Sequence, residues 1–182
     1  PMSEKSQQPD YRLNFKVIGT GRVGKSTFIK TACDRLLNIS KYYETARSDI
    51  ASEFGIVSCE VNSKQIEVQL LSNPPSFHFA HMDVFIRKGN FGFIIIIDST
   101  NPETFEEEKQ IIETFNNYAP CPYIIVANKQ DLEEAQEKEK LRVSLEIPDE
   151  IPIIPCVATD KQSVTNVLIA LCEEILKDID DE

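Results

Sequence analysis

Apolar runs and amphipathic stretches alternate along most of the chain. Three runs, at residues 13–18, 91–98 and 122–127, have the composition of buried strands, and a fourth follows at residues 151–157. The stretches between them place apolar residues at helical spacing, at residues 25–37, 101–118 and 163–177. Strands that alternate with helices are typical of βαβ units, so the pattern predicts an α/β domain with a mainly parallel sheet.

A hairpin interrupts this alternation. Residues 54–61 and 65–71 alternate apolar and polar positions around the turn residues Asn62, Ser63 and Lys64. Two such runs joined by a short polar turn favour antiparallel pairing. We therefore expect six strands, one of them an antiparallel edge strand, with helices on both faces of the sheet.

The remaining stretches are polar and lack periodicity. Residues 40–52 and 72–76 predict loops, and the charge run at 133–140 predicts a solvated helix. A chain of 182 residues fits one domain. We assign residues 1–10 to a tail in which Pro1 is a cloning remnant, 11–178 to the domain and 179–182 to an acidic tail.

Charge and cysteine content narrow the functional classes. Nineteen Lys and Arg against thirty Asp and Glu give a net charge of −11, which disfavours binding to nucleic acids and anionic lipids. Five cysteines without metal-ligand spacing predict free thiols and a cytoplasmic location. The sequence offers neither a membrane-spanning run nor a lipidation motif, so we expect no transmembrane segment and no lipid anchor.

A glycine-rich turn joins the first predicted strand to the first predicted helix. Its sequence, from Gly19 to Ser26, fits the phosphate-loop pattern G-x-x-x-x-G-K-S. In such a loop, backbone N–H groups and the helix N-terminus face phosphate oxygens, and the lysine adds a positive charge. Ser26 is the expected Mg²⁺ ligand. The residues expected to contact the phosphates are Gly21, Arg22, Val23, Gly24, Lys25, Ser26 and Thr27.

A second motif indicates which base is bound. Asn128, Lys129 and Asp131 form N-K-x-D directly after a predicted strand. The carboxylate of Asp131 can accept hydrogen bonds from guanine N1–H and the exocyclic amine, whereas adenine lacks this donor pair and would leave the carboxylate unpaired. The methylenes of Lys129 can lie along the base, and Asn128 can tie this loop to the phosphate loop.

With these motifs in this order, the chain resembles the Ras-like small GTPases over residues 11–178. The resemblance implies a P-loop NTPase (Ras-like) fold that binds GTP or GDP with Mg²⁺. It also adds Val157, Ala158 and Thr159 to the base site, with the Ala158 N–H at the guanine O6 and with Val and Thr where the family usually has Ser and Lys. Residues 19–26, 53–56 and 98–105 look most like the prokaryotic branch that includes the gliding-motility polarity GTPases.

The second switch departs from the family pattern D-x-x-G-Q. Ser72, Pro75 and Ser76 stand where the family has the Asp that orders Mg²⁺, the Gly that senses the γ-phosphate and the Gln that orients water. Proline has no N–H to donate, and a lost hydrogen bond to a charged group is worth about 1.5–3 kcal/mol. We therefore expect weak γ-phosphate sensing and slow hydrolysis unless a partner supplies the missing group.

The first switch is altered as well. The threonine of the family aligns near Asp49, with Thr45 and Ser48 as alternative hydroxyl groups. Asp49 is a candidate metal ligand or an exposed loop acid. Arg47 is a candidate intrinsic arginine finger or a solvated loop residue.

Three functions remain open from the sequence. The favoured one is a guanine-nucleotide-binding regulatory protein whose hydrolysis is weak or dependent on a partner. Residues 41–55 and 72–87 would then bind effectors or regulators, and in the related branch a roadblock-type protein acts as the activator. The alternatives are an efficient GTPase with non-standard switch residues and a pseudo-GTPase scaffold that binds no nucleotide.

Overall fold

The protein is described by a computed structural model, which covers residues 8–38, 53–72, 91–118 and 121–180. Within them, seven strands form one sheet in the order β2-β3-β4-β1-β5-β6-β7. The strands are β1 (Tyr11–Ile18), β2 (Arg35–Asn38), β3 (Glu53–Val61), β4 (Lys64–Ser72), β5 (Phe91–Asp98), β6 (Tyr123–Asn128) and β7 (Ile153–Pro155). The helices are α1 (Lys25–Ala32), α2 (Phe105–Tyr118), α3 (Lys138–Ser144) and α4 (Lys161–Asp180), and a 3₁₀ turn over Pro102–Thr104 precedes α2.

The sheet is parallel except at one side. β1 pairs in parallel with β4 and β5, and β5, β6 and β7 continue the parallel pairing. β3 pairs antiparallel with both β4 and β2. The expected α/β architecture with a mostly parallel sheet is therefore confirmed, but the antiparallel strand β3 lies between β2 and β4 and not at the edge of the sheet, where it was expected.

Two apolar clusters occupy the two faces of the sheet, and β5 contributes to both. All eight residues of β5 are buried. Ile94 and Ile96 belong to the cluster beneath α1 and α4, whereas Phe93, Ile95 and Ile97 belong to the cluster beneath α2 and α3. Successive side chains of a strand point to opposite faces, so one continuous apolar run serves two helical layers. The prediction of helices on both faces is confirmed.

The helix after the glycine-rich turn is shorter than predicted. It was expected to cover residues 25–37, but α1 ends at Ala32, and Cys33 has an extended backbone. The next residues pair with β3, in the register Leu36 opposite Gly55. A short leucine-containing run fits either a strand or a helix, and the backbone partners offered by β3 select the strand. The sheet consequently has seven strands, and the expected number of six is wrong by one.

The charged segment at 133–140 also differs from its predicted helix. Helix α3 begins only at Lys138, and the residues before it form turns. The N–H of Gln136 donates to the carbonyl oxygen of Ser99 over 2.9 Å, which fastens this segment to the end of β5. The residues before Lys138 are therefore held by a tertiary hydrogen bond and are not helical. Residues 137–140 are exposed, as expected.

The five cysteines are all free thiols. Cys156 and Cys172 are buried, and the other three are half-buried. Within the described ranges, none of the helices has the length and apolar character that a membrane crossing requires.

Candidate functional site

The loops that carry the sequence motifs meet at one edge of the sheet. β1, β5, β6 and β7 run in parallel, so the loops that follow them leave from the same side. In open α/β sheets, this carboxyl edge is where ligands bind. The loop between β1 and α1 is the glycine-rich turn, and the loop after β6 carries N-K-x-D.

The tight path of the glycine-rich turn depends on two glycines. Gly24 has φ of 106°, and a Cβ there would lie 2.4 Å from Asn128 Nδ2. A Cβ on Gly19 would lie 2.5 Å from the carbonyl oxygen of Ile96. Any larger residue would force either the turn or the neighbouring strand to move. Gly21, by contrast, has open space around its Cβ position.

Lys25 is the first residue of α1, and its side chain folds back over the turn. Its Nζ donates to the carbonyl oxygens of Gly19 and Thr20 over 2.7 and 2.6 Å. Burial lowers the pKa of Lys25, and the negative charge of Glu107 opposes this shift. The ammonium group is therefore held at the mouth of the turn, close to the N-terminus of α1.

The turn fits a phosphate chain on three grounds. It has the close backbone approach that only glycine permits at Gly24, a fixed ammonium group at Lys25, and the N-terminus of α1, whose first N–H groups have no acceptor within the helix itself. The hydroxyl of Thr20 is buried and has no hydrogen-bond partner in the described part of the chain. Arg22, exposed at the tip, has φ of 63°, an uncommon conformation for a residue other than glycine.

The start of α1 carries two hydroxyl groups that could approach a metal ion. Ser26 and Thr27 are exposed in the first turn of α1. In residues 8–38, 53–72, 91–118 and 121–180, no group of three His, Cys, Asp or Glu side chains is placed to hold a metal. Among these residues, the Ser26 hydroxyl fits as one Mg²⁺ ligand, and phosphate oxygens would supply further ligands.

Asn128, the last residue of β6, connects three segments. Its Nδ2 donates to the carbonyl oxygen of Val23 over 2.8 Å, and its Oδ1 accepts from the N–H of Ala158 over 2.9 Å. Its own carbonyl oxygen accepts a hydrogen bond from the Ser99 hydroxyl. Asn128 is buried, and these bonds hold the end of β6 against the glycine-rich turn and the loops after β5 and β7.

Lys129 contacts a residue that the sequence analysis did not select. It has φ of 66°, and its Nζ lies 2.5 Å from Oδ2 of Asp98, the last residue of β5. Asp98 also accepts from the N–H and hydroxyl of Thr100. Burial alone would raise the pKa of Asp98, but the hydrogen bonds from Lys129 and Thr100 outweigh it and hold the pKa below its usual range.

Asp98 could have been found from the sequence by its position. It is a carboxylate at the end of a fully apolar strand, and it lies beside Asn128 in the parallel register. A charged residue at the carboxyl edge of a buried strand is a candidate ligand or positioning group. Asp98 belongs to neither the phosphate-loop nor the N-K-x-D pattern, so those motifs alone do not mark it.

The other base-site candidates differ in exposure. Asp131 lies in an exposed turn, and Thr159 is exposed in the loop after β7. Val157 donates its N–H to the Ser163 hydroxyl over 2.8 Å. Ala158 is buried, and its N–H is already paired with Asn128.

A second buried carboxyl group lies behind Asp98. Glu108 on α2 is 1% exposed, and its Oε1 accepts from the N–H of Asp98 over 3.0 Å. Burial raises the pKa of Glu108 to about 7. Glu108 belongs to neither of the two sequence motifs. Its spacing to Ile112 and Phe115, at i+4 and i+7, places it on the buried face.

Several expected features lie outside the described residues. These are Arg47, Asp49, Pro75 and Ser76, and most of the two partner-binding stretches, 41–55 and 72–87. Ser72 is described: it ends β4, is buried, and lies beside Val17 of β1 in the parallel register.

The fold and the two motif loops define a P-loop α/β domain. The model of the Ras family matches residues 14–177. The chain belongs to the Ras family. Its relatives include the GTP-binding protein YPTM1 of Zea mays, at 27% identity over 94% of this chain and 82% of the relative. The Ras-related protein Rab-1A of Dictyostelium discoideum is 29% identical over 87% and 77% of the two chains. The Ras-related protein SEC4 of Saccharomyces cerevisiae is 26% identical over 94% and 78%.

Proposed function

We propose that the protein is a guanine-nucleotide-binding regulatory module of the small GTPase type, with GTP hydrolysis that is weak or depends on a partner. The observation that carries the proposal is the Asn128 side chain. It bonds the glycine-rich turn to the loop after β7, and it stands next to Lys129 and close to Asp131 in N-K-x-D. A phosphate site and a base site joined by one buried amide form a single nucleotide site.

The residues of the turn would hold the phosphates. Gly21, Arg22, Val23 and Gly24 would supply backbone N–H groups, Lys25 its ammonium group, and Ser26 and Thr27 the start of α1. The hydroxyl of Ser26 would ligate Mg²⁺, which neutralises phosphate charge when bound. This local positive site would act against the overall charge of −11.

The base would lie between the loops after β6 and β7. Asp131 would accept from guanine N1–H and the exocyclic amine, and the methylenes of Lys129 would cover one face of the base. Val157, Ala158 and Thr159 would line the opposite side. The Ala158 N–H already donates to Asn128, so we expect a contact of this N–H with guanine O6 to be a shared, weaker hydrogen bond.

We expect weak hydrolysis because the residues at the end of β4 and directly after it lack the chemical groups of the family pattern. Ser72 is a buried, uncharged residue where the family pattern has a carboxylate. By sequence, Pro75 has no N–H for a γ-phosphate, and Ser76 is too short to orient water as a glutamine does. Arg47 and Asp49 are the candidate replacements from the first switch, as a catalytic cation and a metal ligand.

The protein would act by binding a protein partner in the cytoplasm. Effectors or regulators would engage residues 41–55 and 72–87. The sequence likeness of residues 19–26, 53–56 and 98–105 to the gliding-motility branch supports a roadblock-type activator as the partner class.

A calorimetric titration tests this function. Nucleotide-free protein is titrated with GDP and with a non-hydrolysable GTP analogue in Mg²⁺, and with an ATP analogue as control. We expect similar affinities for both guanine ligands and none for the ATP analogue. Absence of binding to both guanine nucleotides would leave the scaffold alternative. A fast phosphate release by the isolated chain would instead support the efficient GTPase.

A further inference from the structure

Glu108 is an ionisable residue in an apolar environment. It lies on the face of α2 that carries Ile112 and Phe115, and 1% of its surface is exposed. Its Oε1 accepts the N–H of Asp98, but its Oε2 has no hydrogen-bond partner in the described residues. Buried polar atoms without partners destabilise a fold, so this side chain is a poor choice for packing alone.

The charges around Glu108 make its ionised form still less favourable. Besides burial, the carboxylates of Asp98 on β5 and Glu107 on the same helix raise the pKa of Glu108. Only the hydrogen bond from the Asp98 N–H and the nearby Thr104 side chain act in the opposite direction. A methionine would fill a similar volume without the cost of a buried carboxyl group. The presence of a glutamate at this position therefore points to a role for its side-chain oxygen as a hydrogen-bond acceptor.

Through Asp98, Glu108 is connected to the loop after β6 that carries N-K-x-D, here called the nucleotide-base loop. Asp98 ends β5, and its backbone N–H is fixed by Glu108. Its side-chain carboxylate holds Lys129 of N-K-x-D at 2.5 Å. A chain of two hydrogen-bonded contacts therefore links the interior face of α2 to the lysine that the proposed function places against the base.

We propose that Glu108 is a positioning residue of the nucleotide-base loop: by fixing the backbone of Asp98, it orients the carboxylate that holds Lys129. This inference rests on the proposed function, because it assigns Glu108 a role in guanine-nucleotide affinity. Glu108 itself touches no nucleotide. It acts through Asp98, and its loss should loosen Lys129 and shorten the lifetime of bound nucleotide.

Two substitutions distinguish the role of Glu108 as a hydrogen-bond acceptor from the effect of its charge. Glu108→Gln keeps an oxygen acceptor for the Asp98 N–H and cannot ionise, whereas Glu108→Met keeps the volume and removes the acceptor. Glu106→Gln, on the exposed side of the same helix, is the matched control. GDP affinity and dissociation rate are measured with Mg²⁺ at pH 6 and pH 8, together with the thermal midpoint of the nucleotide-free protein.

A positioning role predicts that affinity and stability change in opposite directions. We expect Glu108→Met to raise the thermal midpoint at pH 8 and yet to weaken GDP binding about fivefold to tenfold, mostly through faster dissociation. Glu108→Gln should also raise the midpoint at pH 8, with GDP affinity within about twofold of the original chain. A methionine variant that binds GDP as tightly as the original chain overturns the inference.

A double-mutant cycle tests separately whether Glu108 acts through Asp98. Asp98→Asn removes the charge that holds Lys129 and leaves Glu108 in place. If Glu108 acts through Asp98, then Glu108→Gln and Glu108→Met should differ in GDP affinity in the original chain but not in the Asp98→Asn background. An equal difference in both backgrounds contradicts the inference. Failure of the unsubstituted chain to bind GDP would instead refute the proposed function.

Discussion

The side-chain amide of Asn128 donates to the carbonyl oxygen of Val23 over 2.8 Å, and it thereby joins positions 105 residues apart in the sequence. The same amide accepts the N–H of Ala158. The glycine-rich turn and the two loops beside it are thus held by one buried side chain. The geometry of the proposed nucleotide site therefore depends on Asn128 as well as on the contacts within the turn.

Asn128→Ala should lower both stability and nucleotide affinity. The substitution leaves the Val23 carbonyl and the Ala158 N–H without their partner in a buried location, at a cost of about 1–3 kcal/mol for each group. We expect the free energy of unfolding to fall by about 3 kcal/mol in urea titrations, and GDP affinity to fall at least tenfold. Asn117→Ala, at an exposed position on α2, should change neither quantity. Equal stability of the two variants would contradict the assigned role.

Gly24→Ala and Gly21→Ala should differ sharply in stability. Gly24 has φ of 106°, and its added Cβ would overlap Asn128 Nδ2, whereas the Cβ position of Gly21 meets no atom within 4 Å. A non-glycine residue in such a backbone conformation costs about 1–3 kcal/mol before any overlap is counted. Thermal melts of the nucleotide-free proteins should show a clear loss for Gly24→Ala and little change for Gly21→Ala. Similar melting temperatures would mean that the turn relaxes freely.

Asp131→Asn should change the base preference. An amide in place of the carboxylate loses the double acceptor for guanine N1–H and its exocyclic amine, but it can donate to the carbonyl oxygen that xanthine has in place of that amine. We expect GDP affinity to fall more than 100-fold and xanthosine diphosphate affinity to rise, as measured by calorimetry. Glu133→Gln, exposed in the following turn, serves as control. Unchanged GDP binding would remove Asp131 from the base site.

Glu108→Gln should stabilise the protein above about pH 4.5. The pKa of Glu108 is raised from 4.5 to about 7 in the folded state. The unfolded chain therefore loses this proton first as the pH rises, and the folded state is progressively destabilised between those two values. We expect the stability advantage of Glu108→Gln to grow from pH 4.5 to 7 and then level off, with an upper value on the order of 3 kcal/mol. If denaturant titrations show a constant difference in the free energy of unfolding between the two proteins across this pH range, the pKa of Glu108 is not raised.

Structural features that depend on neighbouring residues could be predicted well from the sequence. The alternation of apolar runs and helical stretches gave the α/β class and the antiparallel hairpin, because each depends on neighbouring residues and on the period of burial. The bounds of α1 could not be predicted in the same way. Leu36 and Leu37 satisfy either a helix or a strand by spacing, and the available backbone of β3 decided between them.

The sequence by itself determined the class of domain and the two motifs of the proposed site, since a phosphate loop and N-K-x-D are defined by residue type and spacing. Residue type and motif also indicated that Asn128 ties the N-K-x-D loop to the phosphate loop. Tertiary structure alone decided the second bond of Asn128, to Ala158, and the contacts of Asp98 with Lys129 and Glu108, because these form only when strand ends and a helix face, distant in the chain, are brought within hydrogen-bond reach. The physical reason is that a hydrogen bond depends on the position of its two atoms in space, whereas a motif records only their order along the backbone.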